Sequence, residues 1–275
     1  MKRYLFPLLL LLSLAGGCRH AATTSSRPEI HFTDSILLPA TAVKNQARTG
    51  SCWAFGTVSL LESELLCDTG RQGEDTYPDL SEMWLVRHAW FEKAVKYVRT
   101  RGRCDFSQGG ELSDVPYLVR RYGIVPQSVY EGNSADGEYD HARLERVVRR
   151  CARQIVKRRL YRTPGWEQRL QTLLDDELGV CPERFRFNGV EYTPESYRDS
   201  IGLGAARYMN FTSFLHHPFY TSFVAEFPDN WLGESSVNVP LDSLMSLLGE
   251  ALRRGYSVGW CGNVADRGFN AYRGV

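Results

Sequence analysis

The chain has 275 residues and a formal net charge of +1, so its overall charge gives no reason to expect nucleic acid or an acidic surface as its main partner. Hydrophobic residues make up 43% and charged residues 24% of it, which is the composition of an ordinary globular protein and excludes a disordered chain. The length allows one large domain or two modest ones, each with an apolar core.

The amino terminus has the pattern of a secretory signal peptide. Two basic residues precede an apolar run over residues 4–14, which is too short for a membrane-spanning helix, and small residues follow it. The segment Leu14–Cys18 resembles a bacterial lipobox, although leucine stands four residues before the cysteine rather than three. We expect a signal peptide over residues 1–17, lipid attachment at Cys18 and an exported, membrane-anchored protein on the periplasmic or cell-surface side. The alternative is a secreted protein with an incidental cysteine.

Residues 18–30 are polar and rich in Ser, Thr and Ala, which predicts a flexible tether before a folded domain over residues 31–275. The chain has seven cysteines but no CxxC pair and no spacing typical of a zinc site. We therefore expect neither a metal nor a cofactor.

Three helices follow in the first half of the chain. The first begins at Ser51, a favourable N-cap, and continues to about Leu66 with apolar residues at helical spacing. The second begins with the cap Ser81 and ends near residue 101, before Gly102. The third covers residues 112–122 and is ended by Gly123. Each helix has a start and a stop signal, which predicts a compact helical subdomain over residues 50–125.

Residues 139–178 have a long, helical and basic pattern. An apolar stripe accompanies eight basic residues, Arg143, Arg146, Arg149, Arg150, Arg153, Lys157, Arg158 and Arg159. Binding to nucleic acid or to a membrane surface is one interpretation. We favour a solvated helix face, balanced by Asp175, Asp176 and Glu177. Later in the chain, Tyr256–Trp260 has the pattern of a strand, so the predicted fold class is α+β, with helices first and strands late.

The segment around Cys52 carries the chemistry. A thiol attacks a carbonyl as thiolate, and the unpaired N–H groups at a helix N-terminus favour that negative charge. Cys52 directly follows the predicted cap, at the first turn of the helix. The oxyanion of a tetrahedral intermediate needs two donors. The N–H of Cys52 is one, the side-chain amide of Gln46, six residues upstream, is the other, and Gly50 leaves room for a tight turn into the helix.

Gln46–Phe55 reads Gln-Ala-Arg-Thr-Gly-Ser-Cys-Trp-Ala-Phe and resembles the active-site segment of papain-like cysteine peptidases. The resemblance implies a two-lobed papain-like α+β fold and peptide cleavage through a Cys52 thioester, with Trp53 at the substrate. Thr49 stands where plant and lysosomal members have a cysteine, which favours the bleomycin hydrolase and aminopeptidase C branch. Aminopeptidase activity, peptide substrates and a homo-hexamer are then expected.

Further segments resemble the same branch. Ser107–Glu111 is similar to its substrate-cleft motif, so Gly109 and Gly110 are expected to let an extended substrate backbone approach. On this resemblance the helical lobe is complete, and residues 139–200 are a helical insertion within the domain rather than a separate domain.

The histidine and asparagine that the resemblance requires are expected beyond Val275, so the second, strand-rich lobe is expected to be incomplete and this chain alone a poor peptidase. The six histidines of the chain are alternatives as the general base, but none is followed by an Asn-Ser-Trp-like motif: His20, His31, His88, His141, His216 and His217. Two other functions remain open. One is a catalytically inactive papain-like binding or scaffold lipoprotein, and the other is a nucleic-acid-binding protein that uses the basic helix.

Overall fold

The computed structural model describes residues 35–69, 78–104, 106–133, 138–205 and 208–262. The predicted signal peptide and the whole predicted tether, including Cys18, lie outside them. The described residues from Ile36 onward belong to one compact unit. Its elements are α1 (Cys52–Thr69), α2 (Glu82–Arg99), α3 (Asp114–Tyr122), α4 (Ala142–Lys157), α5 (Trp166–Leu178), β1 (Phe185–Phe187), β2 (Val190–Tyr192), α6 (Pro194–Ser200), β3 (Phe211–Thr212), β4 (Thr221–Val224), β5 (Ser235–Asn238) and α7 (Leu241–Arg253).

Helix α2 lies at the centre of the helical part of the molecule and packs against α1, α3, α4 and α5. Its N-terminus is capped as expected, because the Ser81 hydroxyl accepts a hydrogen bond from the Trp84 N–H at 3.0 Å. Apolar residues around most of its circumference, such as Met83, Leu85 and Ala94, are fully buried. A helix with apolar residues all round needs neighbours on every side, which explains its central position.

Helix α3 begins at Asp114, two residues later than the sequence predicted, and ends at Gly123 as expected. Gly123 has φ of +68°, and its N–H donates to the Val119 carbonyl at 2.9 Å. A side chain there would collide with the backbone of Pro194 at the start of α6. The glycine therefore ends α3 and also lets α6 pack closely against it.

The basic pattern of residues 139–178 forms two helices, α4 and α5, rather than one continuous helix. Left-handed residues interrupt it at Arg159, with φ of +58°, and at Gly165, with φ of +90°, and Pro164 precedes the second of them. The predicted apolar stripe is confirmed on α4, where Leu144, Val148 and Ile155 are buried in the same core as α2.

Two small sheets follow. Strands β1 and β2 form an antiparallel hairpin across an Asn188-Gly189 turn, in which both residues have positive φ. In the second sheet, β5 lies between β3, to which it is parallel, and β4, to which it is antiparallel. The fold is therefore mixed α+β, with the large helices first, as the sequence indicated.

The predicted strand at Tyr256–Trp260 is wrong, because this segment has no regular secondary structure. Its polar groups are satisfied by side chains of α1 instead of by a neighbouring strand. The Ser257 N–H donates to Glu64 Oε1 at 2.5 Å, and the Ser257 and Ser63 hydroxyls lie 2.6 Å apart. None of the helices in the described ranges has both the length and the apolar character needed to cross a bilayer.

Candidate active site

The loop before α1 is folded by its own hydrogen bonds. The Gln46 side-chain amide donates to the Thr49 carbonyl at 2.6 Å, and the Thr49 hydroxyl donates to the Gln46 carbonyl at 2.9 Å. Between them Ala47 has φ of +50°, an uncommon conformation for a residue with a side chain. The sharp bend of this loop therefore lies at Ala47, and the reciprocal pair of hydrogen bonds holds the Gln46 carboxamide against the residues that lead into α1.

Lys44 fixes the start of this loop to the helical core. Its ammonium lies 3.0 Å from Glu62 of α1, 2.9 Å from Glu82 of α2 and 2.8 Å from Asp79. Burial alone would lower the pKa of Lys44, but the Glu82 carboxylate and its neighbours outweigh it and hold that pKa above the ordinary value. The loop thus begins at Lys44, whose ammonium is held by carboxylates of both α1 and α2.

Cys52 is the first residue of α1, and it is exposed. The carbonyl of Ser51 accepts hydrogen bonds from the N–H groups of Ala54, at 2.9 Å, and Phe55, at 3.2 Å, which confirms the start of the helix at the predicted position. The Ser51 side chain is buried and lies 2.5 Å from the Thr49 hydroxyl. Cys52 therefore stands exposed at a helix N-terminus, where the first N–H groups carry partial positive charge.

Gln108 joins this loop to the Gly109-Gly110 segment. Its side-chain oxygen accepts a hydrogen bond from the Gly50 N–H at 2.8 Å, and its backbone carbonyl accepts one from the Trp53 indole at 3.1 Å. A Cβ on Gly50 would lie 2.8 Å from the Cβ of Gln108. Gly50 is thus required for the close approach of Gln108.

The two glycines of the predicted substrate cleft lie beside Trp53 and two carboxylates. A Cβ on Gly110 would lie 2.6 Å from the Asp114 carboxylate and 2.9 Å from the Trp53 ring, and a Cβ on Gly109 would collide with the Asp229 carboxylate. Trp53 is only 3% exposed. Its ring packs against Gly110 and its indole N–H binds the Gln108 carbonyl, so Trp53 positions the Gln108–Gly110 segment. A substrate-binding role for Trp53, Gly109 and Gly110 stays a prediction.

A buried charge cluster supports the glycine segment. The Lys93 ammonium donates to the carbonyls of Ser107, at 3.1 Å, and Gly109. Asp114 is fully buried and accepts a hydrogen bond from the Trp231 indole at 2.5 Å, and burial raises its pKa to about 7. Lys93 also lies over the rings of Trp53 and Trp231. The cluster couples the Cys52 helix to the later, strand-containing part of the chain.

Cys261 is exposed and ends a segment that runs along α1. This segment packs at Gly259 against Leu60 and Leu112. Burial and the Glu111 carboxylate raise the pKa of the Cys261 thiol. Burial and the charge of Asp229 also raise the pKa of Glu111.

No histidine within the described ranges is hydrogen-bonded to Cys52. His88 and His141 are buried, and burial lowers their pKa values to about 3 and about 4. His216 and His217 lie beside Phe223 in the second sheet. His20 and His31 fall outside the described residues.

With this geometry in place, comparison with known proteins assigns the fold. Residues 34–160 match the papain family of cysteine proteases, a range that contains Gln46, Cys52 and the glycine segment. Over these residues the chain is similar to the papain family. The crystal structure of pepw from Lactobacillus rhamnosis hn001 superposes with a TM-score of 0.60 at 19% identity, covering 81% of this chain and 58% of that one. The papain-like fold is thus confirmed.

Two relatives from different branches of the papain family align with very different shares of this chain. Aminopeptidase C from Streptococcus thermophilus is 24% identical over 92% of this chain and 66% of its own length. Digestive cysteine proteinase 1 from Homarus americanus is 36% identical, but over only 38% of this chain and 34% of its own length. The long alignment includes the α4–α5 region and confirms the resemblance to the aminopeptidase C branch. The chain spans about two thirds of the length of that aminopeptidase C and less of the other two proteins.

Three residues that shape the site were missed as individual candidates, namely Gln108, Asp114 and Asp229. Gln108 contacts Gly50 across 58 positions of sequence, and Trp231 binds Asp114 across 117. No local pattern could reveal these contacts, although Gln108 stands directly before the two glycines that the motif singled out.

Proposed function

We propose that this protein is a cysteine peptidase, most closely allied to aminopeptidases, in which Cys52 is the nucleophile. One observation carries the proposal: Cys52 is exposed at the first residue of α1, directly after a loop whose hydrogen bonds fix the Gln46 carboxamide. The papain-family match over the same residues supports it.

In the proposed chemistry, the Cys52 thiolate attacks the carbonyl carbon of the scissile bond, the π electrons move onto oxygen, and a tetrahedral oxyanion forms. The Cys52 N–H and the Gln46 amide donate to that oxyanion. Collapse of the intermediate breaks the C–N bond, and the amine leaves with a proton taken from water while a Cys52 thioester remains. A second water molecule then hydrolyses the thioester, which releases the acyl group as a carboxylic acid and regenerates the thiol.

An aminoacyl chloromethyl ketone tests the reactivity of Cys52. The Cys52 sulfur would form a thioether with the methylene carbon while chloride leaves. Peptide mapping by mass spectrometry should find Cys52 alkylated well before Cys104, which is half-buried and accepts a hydrogen bond from Thr100 at 3.4 Å. Cys52→Ala should remove the fast label, and Cys104→Ser should leave it. Equal labelling of both cysteines would contradict the proposal.

We also propose export and acylation at Cys18, which is supported by the basic, apolar and small-residue pattern of residues 1–18. Growth of an expressing bacterium with a radiolabelled fatty acid should label the protein, and Cys18→Ala should abolish that label. A label that survives Cys18→Ala would contradict acylation at this residue.

A further inference from the structure

Helix α4 presents a row of exposed cations to solvent. Arg146, Arg150, Arg153 and Lys157 are all exposed. At about 100° per residue these four positions fall within about 60° of one another around the helix axis, and at about 1.5 Å per residue they extend over about 17 Å. We call these four residues the cationic row. Arg158, Arg159 and Arg162 continue it beyond the helix and are exposed as well.

The carboxylates near α4 are engaged elsewhere. Asp175 pairs with the buried Arg87 at 2.5 Å, and Glu177 pairs with Arg143 at 2.9 Å. Glu145 is the one acidic residue of α4, and it pairs with Arg149 at 2.7 Å. The predicted balance of the basic face holds for Arg143, which pairs with Glu177, whereas the row itself forms no ion pair among the described residues.

Four like charges on one helix face, with three more soon after it in the chain, repel one another, and their proximity favours an anionic partner. Six of the seven are arginines. The planar guanidinium binds phosphate through two parallel hydrogen bonds, whereas an ammonium acts as a point charge. The arginine-rich surface is thus suited to anionic groups that accept two parallel hydrogen bonds, among them phosphates.

We propose that the cationic row, with the arginines that follow it, binds the phosphate groups of anionic phospholipids at a membrane surface. Cations aligned on a single helix face can meet a flat layer of headgroups together. The proposed export and acylation would bring such a layer close to the chain.

Single-stranded nucleic acid fits this face less well. Binding of single strands relies on aromatic rings that stack on bases. The aromatic residues next to the row, Tyr161 and Trp166, pack against the hydrophobic core instead. The row therefore offers charge without a stacking surface.

Vesicle co-sedimentation of the full chain tests the proposal. We compare neutral phosphatidylcholine vesicles with vesicles that also contain phosphatidylglycerol, so that any contribution from the apolar amino terminus appears in both. The added binding to the anionic vesicles should be lost at high salt. In the triple variant Arg146→Gln, Arg150→Gln, Arg153→Gln it should fall on the order of 100-fold, because each cation near an anionic surface strengthens binding severalfold.

A second triple variant controls for net charge. Arg184→Gln, Arg253→Gln and Arg254→Gln also remove three exposed arginines, but each of these is paired with a carboxylate, Glu191 or Glu250. This variant should retain the added binding. Equal losses in the two triple variants would overturn the proposal, and so would tighter binding to single-stranded DNA than to anionic vesicles at the same salt concentration. Matching melting temperatures would confirm that both variants are folded.

Discussion

The helical region, residues 36–205, and the strand region, residues 208–262, bury their apolar residues to different extents. The main hydrophobic cluster comes entirely from the helical region, in which α2 is buried almost all round. In the strand region α7 has no buried residue, and Leu241 is 60% exposed. The two regions meet through a few specific contacts, such as the Trp231 indole on Asp114 and the Ser257 hydroxyl on Ser63.

This difference shows where the parts of the site obtain their stability. Gln46 and Cys52 lie on the helical region, whereas Asp229 and Cys261 belong to the strand region. The position of Cys52 is thus fixed by a core that the strand region does not supply.

The largest expected effect comes from the charged group beneath the loop. Lys44→Met leaves the carboxylates of Glu62 and Glu82, which are 0% and 3% exposed, without their cation. We expect the free energy of unfolding to fall by about 3–5 kcal/mol. Arg254→Met, which removes an exposed ion pair to Glu250 on α7, should cause no measurable change in denaturant unfolding. Similar losses of unfolding free energy in Lys44→Met and Arg254→Met would contradict the difference in burial between the two regions.

A matched pair of leucines tests the hydrophobic packing. Leu85→Ala in α2, where the side chain is fully buried, should cost about 2–5 kcal/mol because it leaves a cavity in the core. Leu247→Ala in α7, where the residue is 42% exposed, should change stability by less than about 0.5 kcal/mol. Denaturant midpoints measure both. A large loss at Leu247 would mean that α7 is packed in solution.

Gly109→Ala examines the contact between the two regions. The new methyl group would displace the Asp229 carboxylate, and we expect a loss of about 1–3 kcal/mol. Gly249→Ala within α7 approaches only the flexible end of Arg253, at 3.2 Å, and should stabilise the helix by about 0.5–1 kcal/mol. Thermal unfolding shows whether each variant is stabilised or destabilised. An unchanged stability in Gly109→Ala would show that the Asp229 carboxylate does not pack against Gly109.

The last contrast between the two regions is a difference in pH dependence. Burial lowers the pKa of His88 to about 3 from its ordinary 6.5, so the unfolded chain takes up a proton in this window while the folded chain does not. Stability should therefore fall as the pH drops below 6.5, with His88 contributing about 1.4 kcal/mol per pH unit. His88→Phe should remove that contribution, and His217→Phe in the strand region should not. Parallel pH profiles for the wild type and His88→Phe would rule out a buried neutral histidine.

Sequence reasoning was most successful for features that are encoded by residues close together in the chain. The start of α1, the cap of α2 and the end of α3 are each encoded within a few residues, by Ser51, Ser81 and Gly123, and the structure confirms all three. The loop and the nucleophile lie within one ten-residue segment, Gln46–Phe55, so their association was also visible.

What the sequence did not predict depends on distant contacts. The alternation of Tyr256–Trp260 resembles a strand, but the hydroxyl and carboxylate of α1 that bind Ser257 lie more than 190 positions earlier. The break between α4 and α5, in contrast, had a local signal at Pro164-Gly165. The lack of ion pairs in the cationic row had none, because Asp175 pairs instead with Arg87, far away in α2.

The most direct test of the central claim measures acylation of Cys52 by the p-nitrophenyl ester of an amino acid. Attack by the thiolate breaks the C–O bond, releases p-nitrophenolate and leaves a thioester that intact mass spectrometry detects. We predict one acyl group per chain, on Cys52, and a rate that Gln46→Ala lowers by about 10²–10³. Thr49→Val, which removes the reciprocal hydrogen bond of the loop but keeps the amide, should lower it far less. Acylation that persists in Cys52→Ala, or equal slowing by the two loop variants, would contradict the account.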